Sequence, residues 1–131
     1  MSIKKVNPAE LASPIGFSHG MVVNGRTLIF LAGQTALNKK NEIEGNGIVE
    51  QFEKVISNLL VVLNEAGGTP DNLVKLNIYA VDPVDYRAHA KEIGKIWQKL
   101  IGKNYPAMTL VGVTKLWDAS ALLEIEGVAV I

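Results

Sequence analysis

Apolar and polar positions along the chain fall into stretches of two periods, near two and near three and a half residues. Ile3 to Val6 is a short β-prone run, read as an edge strand, and a loop punctuated by Pro8, Pro14 and Gly16 follows it. Gly20-Met21-Val22-Val23, Asn24-Gly25 and Arg26 to Leu31 read as a β-hairpin. β-Branched and aromatic residues there flank an Asn-Gly pair suited to the two positive-φ positions of a type I′ turn. The second strand runs into Ala32-Gly33-Gln34-Thr35, where Gly33 lets a backbone or a ligand come close. Asn38 to Asn46 is polar and lysine-bearing, a loop. Ile48, Phe52, Val55, Ile56, Leu59, Val62 and Leu63 then recur at three and four. That spacing predicts a helix from about Gly47 to Ala66, started at Asn46 or Gly47 and stopped by Gly67-Gly68.

Leu73 to Val81 alternates, with Val74, Leu76, Ile78 and Ala80 on one face and Lys75, Asn77 and Tyr79 on the other, the mark of a half-buried strand. Asp82-Pro83 supplies a cap and a proline at the first helical position. A second helix is predicted to about Ile101, with Tyr86, Ala90, Ile93, Ile96, Trp97 and Leu100 on a common face and Gly102 as its stop. Tyr105-Pro106 then leads into a strand over Ala107 to Val113, whose start stands at the rim of a sheet. Lys115 to Ser120 is a turn-like connector, and Leu122 to Ile131 alternates again. The order β-ββ-α-β-α-β-β predicts an α+β domain spanning 1–131, a mixed six-stranded sheet with two helices on one face. In the last strand Glu124, Glu126, Val128 and Val130 share one face and Leu123, Ile125, Gly127, Ala129 and Ile131 the other. Apart from the two carboxylates both faces are apolar. Helices cover one; a second chain over the other would explain the pattern, so an oligomer is expected.

Composition narrows the chemistry. A chain of 131 residues at 48% hydrophobic and 20% charged is long and apolar enough for one packed core. The N-terminus has no apolar core of a signal peptide, and no apolar run approaches the roughly 20 residues of a membrane span. There is no cysteine, which excludes disulfides and thiol catalysis and fits a cytoplasmic chain. Thirteen basic and thirteen acidic residues leave a net charge of zero, without the long-range field that draws nucleic acid, so no nucleic-acid partner is expected. Only two arginines exist, Arg26 and Arg87, which leaves few bidentate carboxylate clamps.

The alternate carboxylates Glu124 and Glu126 carry two readings. They are a solvated sheet edge, or one of them sits in an apolar cleft where burial raises its pKa and lets it handle a proton. His19 and His89 have no partner at metal spacing. Ala32-Gly33-Gln34-Thr35 lacks the spacing of a phosphate loop, and Ser13, Ser18, Ser57 and Ser120 lie outside any nucleophile-elbow context. Phe52 and Trp97 fall on helical stripes and read as core.

Gly33-Gln34 after a strand, Gln51 and Asn58 in the first helix, Tyr105-Pro106-Ala107, and Glu124-Ile125-Glu126-Gly127-Val128-Ala129 together resemble the YjgF/Rid (reactive intermediate deaminase) family over nearly the whole chain. The resemblance implies a chorismate-mutase-like fold and a homotrimer with small-molecule clefts between subunits. It also implies hydrolysis of reactive enamines and imines to oxo acids and ammonia, without metal or cofactor. In that family an arginine after Pro-Ala clamps the substrate carboxylate, backbone amides near a Ser-Gly-Gln turn assist, and a glutamate on the last strand positions water. Gly33 matches the turn glycine and Glu124 the glutamate. The arginine position holds Met108, the turn serine is Ala32, a cleft tyrosine corresponds to Phe17, and a cysteine corresponds to Leu110. Arg87 or Lys115 could replace the arginine only if the fold brings it to the rim.

Two functions follow as expectations. One is hydrolytic deamination of an enamine or imine with altered substrate preference, with Glu124 catalytic and Gly33, Met108, Phe17, Ala32, Thr109 and Leu110 lining the substrate. The other is a non-catalytic trimer that binds a small molecule or serves regulation through the same clefts. A ribonuclease is the weakest reading, given the neutral charge and the unpaired histidines.

Overall fold

The computed structural model describes residues 2–131. Strand β1 (Ser2–Val6) pairs antiparallel with β2 (Gly20–Asn24). Strands β3 (Leu28–Gln34), β4 (Leu73–Ala80), β5 (Ala107–Gly112) and β6 (Leu123–Val130) form a four-stranded mixed sheet in the order β3-β6-β4-β5. Only β4 and β5 run parallel. The six strands are thus split into a ribbon and a sheet, linked where Ser18 bridges Ala107 at the start of β5.

The expected β2–β3 hairpin does not form. Asn24 and Gly25 are absent from the positive-φ positions, so no type I′ turn exists there. Instead β2 takes β1 as its neighbour, and the amides of Arg26 and Thr27 donate to the Ile131 carbonyl at 3.1 and 2.9 Å, which hands β3 to β6. A non-local strand of matching apolar pattern outcompetes the local turn.

Helix α1 (Ile48–Glu65) buries Ile48, Gln51, Phe52, Val55, Ile56, Leu59 and Leu63 against the sheet. Gly67, at φ +90°, ends it as the sequence predicts. The second predicted helix is broken. Asp82 caps α2 (Pro83–Ala88) by accepting from the amides of Val84 and Asp85, and α3 (Ala90–Leu100) restarts at His89. Tyr86 of α2 and Ile93 and Trp97 of α3 all pack in or against the core. The alternation of β4 and β6 holds: Leu76, Ile78, Ala80, Leu123, Ile125 and Ala129 are buried under the helices. Burying each of the leucines and isoleucines among them contributes about 1.5–3 kcal/mol. Among the described residues no helix is long and apolar enough to cross a membrane.

Among the described residues no helix covers the opposite face of the four-stranded sheet. Leu28 and Phe30 of β3 are 58% and 75% exposed there, with Val128 of β6 beside Phe30. Register places Asn77 and Tyr79 of β4 and Thr109 and Val111 of β5 on this same open face.

Candidate active site

The site begins with a slip in strand pairing. Leu31 lies opposite Gly127 and Gln34 opposite Ile125, so β3 carries one more residue than β6 between these pairs. Such a bulge leaves a residue out of the ladder and sharpens the local twist. Ala32 and Gly33 form it, and Glu124 reaches over it. A Cβ added at Gly33 would stand 2.9 Å from Glu124 Cδ and 3.0 Å from Cγ, and closer still to Oε2. Only glycine leaves room for the carboxylate to lie on the backbone there.

Charge and burial set the state of that carboxylate. Burial pushes the Glu124 pKa up from its ordinary value, and the negative charges of Asp118 and Glu126 push it further in the same direction. Asp118 is held by Thr35, whose Oγ1 donates to its Oδ2 at 2.9 Å. Tyr79 lies directly across from Glu124, and Asn77 across from Glu126, donating from Nδ2 to Oε2 at 3.2 Å. The Tyr79 hydroxyl is raised in turn, first by burial, then by the charge and hydrogen bond of Glu126 and the charge of Glu124. Glu126 is therefore committed to Asn77 and Tyr79, whereas Glu124 faces the bulge with a raised pKa. This is the arrangement a general acid or base needs.

Two amides from α1 hold the site's flanks. Gln51 is 2% exposed; its Nε2 donates to the carbonyls of Gly45 and Ser120 at 3.2 and 3.1 Å, and its Oε1 accepts from the Leu122 amide at 2.8 Å. This fixes the entry to β6 two residues before Glu124. Asn58 Nδ2 donates to the carbonyls of Thr35 and Leu37 at 3.0 and 2.9 Å, fixing the exit from the bulge.

The other expected residues lie elsewhere in the chain. Met108 and Leu110 point to the helical side of the sheet, packed against the core. Met108 lines a cavity of about 350 Å³ with Ile15, Ile78, Tyr86, Trp97 and Tyr105 among others. Thr109 is exposed on the open face, one strand beyond Asn77. Phe17 is half-buried next to the start of β5, its ring edge-on to His19 at 5.2 Å. Within a single chain the structure joins Glu124 with Gly33 and Ala32, and sets Met108 and Leu110 on the reverse of the sheet. Arg87, at the end of α2, and Lys115, in the connector, are both exposed, and neither lines the Met108 cavity. Among the described residues no group of three His, Cys, Asp or Glu side chains is placed to hold a metal. Tyr79, Asn77 and Asp118 escaped the sequence reading. The polar alternation of Asn77 and Tyr79 was visible, but only the pairing register sets them opposite Glu126 and Glu124, while Asp118 comes from the connector before β6, where Thr35 holds it.

A mixed sheet helix-covered on one side, with a glutamate seated on a glycine bulge on the other, defines the class. Residues 8–131 match the family model described as endoribonuclease L-PSP. Similar proteins include protein HMF1 of Saccharomyces cerevisiae, 33% identical over 122 residues that cover 93% of this chain and 87% of that one. RutC family protein slr0709 of Synechocystis is 34% identical over 134 residues, 100% of this chain and 98% of its own. A crystal structure of YyfB from Yersinia pestis, a Rid family protein of unknown function, matches with a TM-score of 0.87 at 31% identity, over 100% of each chain. The chain belongs to the YjgF/Rid family.

Proposed function

We propose that this protein hydrolyses a reactive enamine or imine in clefts formed between copies of the chain, with Glu124 handling the proton of the attacking water. The observation that carries this reading is the Glu124 carboxylate, raised in pKa and seated on the Gly33 bulge. The imine carbon is already electrophilic, so a positioned water and a proton acceptor suffice. Water adds to the carbon of the protonated C=N group while Glu124 takes one of the water's protons, giving a neutral carbinolamine. Glu124 returns that proton to nitrogen, the C–N bond breaks with release of ammonia, and the hydroxyl proton passes to the Glu124 carboxylate as the carbonyl forms. Backbone groups of Ala32 and Gly33, outside the ladder at the bulge, are available to orient the substrate.

Homotrimer assembly is part of the proposal. Glu124 and Met108 face opposite sides of one sheet, so a cleft containing both needs two copies of the chain. The uncovered face with Phe30 and Leu28 offers the apolar area for that contact. With Met108 in place of the carboxylate-clamping arginine, the substrate preference shifts toward a more apolar compound. The same methionine favours a second reading, a trimer that binds a small molecule without turning it over.

The test generates 2-iminopropionate and an imine with an aromatic side chain in situ, and follows oxo-acid and ammonia release. Hydrolysis above background, stronger for the aromatic imine and lost in Glu124→Gln, supports the deaminase. Background rates with every imine leave the binding protein. Light scattering that finds a monomer removes the shared cleft from both readings.

A further inference from the structure

On the helical side of the sheet the chain has a second polar and apolar arrangement. The cavity behind Met108 is walled by Ile78 of β4, Phe52 of α1, Ile93 and Trp97 of α3, and Tyr105. Trp97 and Tyr105 stack at 5.7 Å with planes 8° apart, and this pair of rings forms an aromatic wall of the cavity. That wall is built in: Trp97 Nε1 donates to the Asn104 carbonyl at 3.2 Å, Asn104 Nδ2 donates to the carbonyls of Pro70 and Leu73, and Ser18 Oγ donates to the Tyr105 carbonyl at 2.6 Å. Ile15 stands at the cavity while 89% exposed, so the cavity is open to solvent.

A second hollow adjoins it, sharing Ala90, Gly94 and Tyr105, and is lined further by Lys91, Lys95 and Gln98. Lys91 and Lys95 are one turn apart on α3, both exposed, and neither is in an ion pair among the described residues. Between them sits Gly94, in a helix interior where glycine is unfavourable. A Cβ there would meet nothing within 4 Å, so its missing side chain leaves the passage between the two hollows open.

We infer that these joined hollows bind an amphipathic carboxylate, its aryl body against Trp97, Tyr105 and Met108 and its carboxylate at Lys91 and Lys95. The volume fits. A cavity of about 150 Å³ holds a benzene ring, so about 350 Å³ takes a ring with a short chain. Paired ammonium groups beside an apolar well match one negative charge at the end of an apolar body, and they move the carboxylate grip from the sheet rim to α3. As a statement of substrate class the inference rests on the hydrolase reading, because Met108 is common to both; as a binding site it belongs to one chain and needs no turnover.

The probe is 3-phenylpropanoate, which has no C=N bond, titrated against the intact protein carrying Trp117→Phe. Trp117 is 97% exposed, so its removal leaves Trp97 as the only tryptophan and the fold undisturbed. A saturable change in Trp97 fluorescence is expected, matched by calorimetry. The neutral 3-phenylpropan-1-ol should bind roughly five- to tenfold more weakly, and Lys91→Glu with Lys95→Glu should weaken the acid by a similar factor while sparing the alcohol. Gly94→Leu, expected to fold at least as well as the parent, should abolish binding of both. No fluorescence or calorimetric response at millimolar acid, equal affinity for acid and alcohol, or unchanged binding in Gly94→Leu would each overturn the proposal. Binding without imine hydrolysis would keep this site and remove the hydrolase; hydrolysis without binding would do the reverse.

Discussion

Replacing Gln51 with methionine tests whether α1 holds the active-site strand. Methionine keeps the length and volume of glutamine, so the core stays filled. What is lost is three hydrogen bonds: two donated to the carbonyls of Gly45 and Ser120, and one accepted from the Leu122 amide. Each is worth about 1 kcal/mol net, for a total of roughly 3 kcal/mol, since the Gly45 and Ser120 partners are exposed enough for water to reach them. Against a typical total of about 5–15 kcal/mol this is a large share. Urea unfolding should show a lower midpoint at unchanged slope. Imine hydrolysis at a temperature where the variant remains folded should also fall, because Leu122 leads directly into Glu124. A destabilisation below about 1 kcal/mol would refute the reasoning, since it would mean that water or relaxation satisfies these groups without Gln51.

Two of the close-packed glycines of the sheet, Gly33 and Gly127, should separate function from stability. Gly33→Ala meets the end of the flexible Glu124 side chain, so the carboxylate moves and activity is lost while stability changes by about 1 kcal/mol or less. Gly127→Ala meets the Lys75 carbonyl at 2.8 Å, which is backbone, and should cost roughly 1–3 kcal/mol in urea unfolding; similar losses in both variants would contradict this. The raised pKa of Glu124 gives a pH test. The folded protein keeps a proton that the unfolded chain has released, so stability from this group falls as pH rises from the ordinary carboxylate value through the raised one. Glu124→Gln removes that penalty, so its Tm relative to the parent should be higher at about pH 7 than at about pH 3.5; a pH-independent difference would contradict the burial. Asn58→Leu, which strips donors from the Thr35 and Leu37 carbonyls, should lower stability by about 2–3 kcal/mol in the same unfolding assay.

Much of this architecture was legible in the residues. The stripe from Ile48 to Leu63 is an amphipathic helix in any context, and Gly67 ends it because a positive φ is needed there. The alternation in β4 and β6 fixes which side chains face the helices. Asn24-Gly25 has the local chemistry of a turn but carries no sign of the long-range partners, β1 and β6, which take the strands that the turn would have joined. The break at His89 was hidden because Tyr86 and Trp97 satisfy helical spacing on either side of it. Glu124 and Gly33 were legible as candidates, but their contact was not. It depends on a one-residue bulge whose position is set by pairing between segments about 90 residues apart in sequence. The cavity behind Met108 was equally invisible, since it draws on three helices, two strands and two loops.

The most direct test of the account is the hydrolysis of an aromatic imine generated in situ, measured with the parent protein and with Glu124→Gln at equal folded concentration. The account predicts oxo-acid and ammonia release well above the spontaneous rate for the parent and at the spontaneous rate for the variant. A parent indistinguishable from buffer, or a Glu124→Gln variant as fast as the parent, would contradict it.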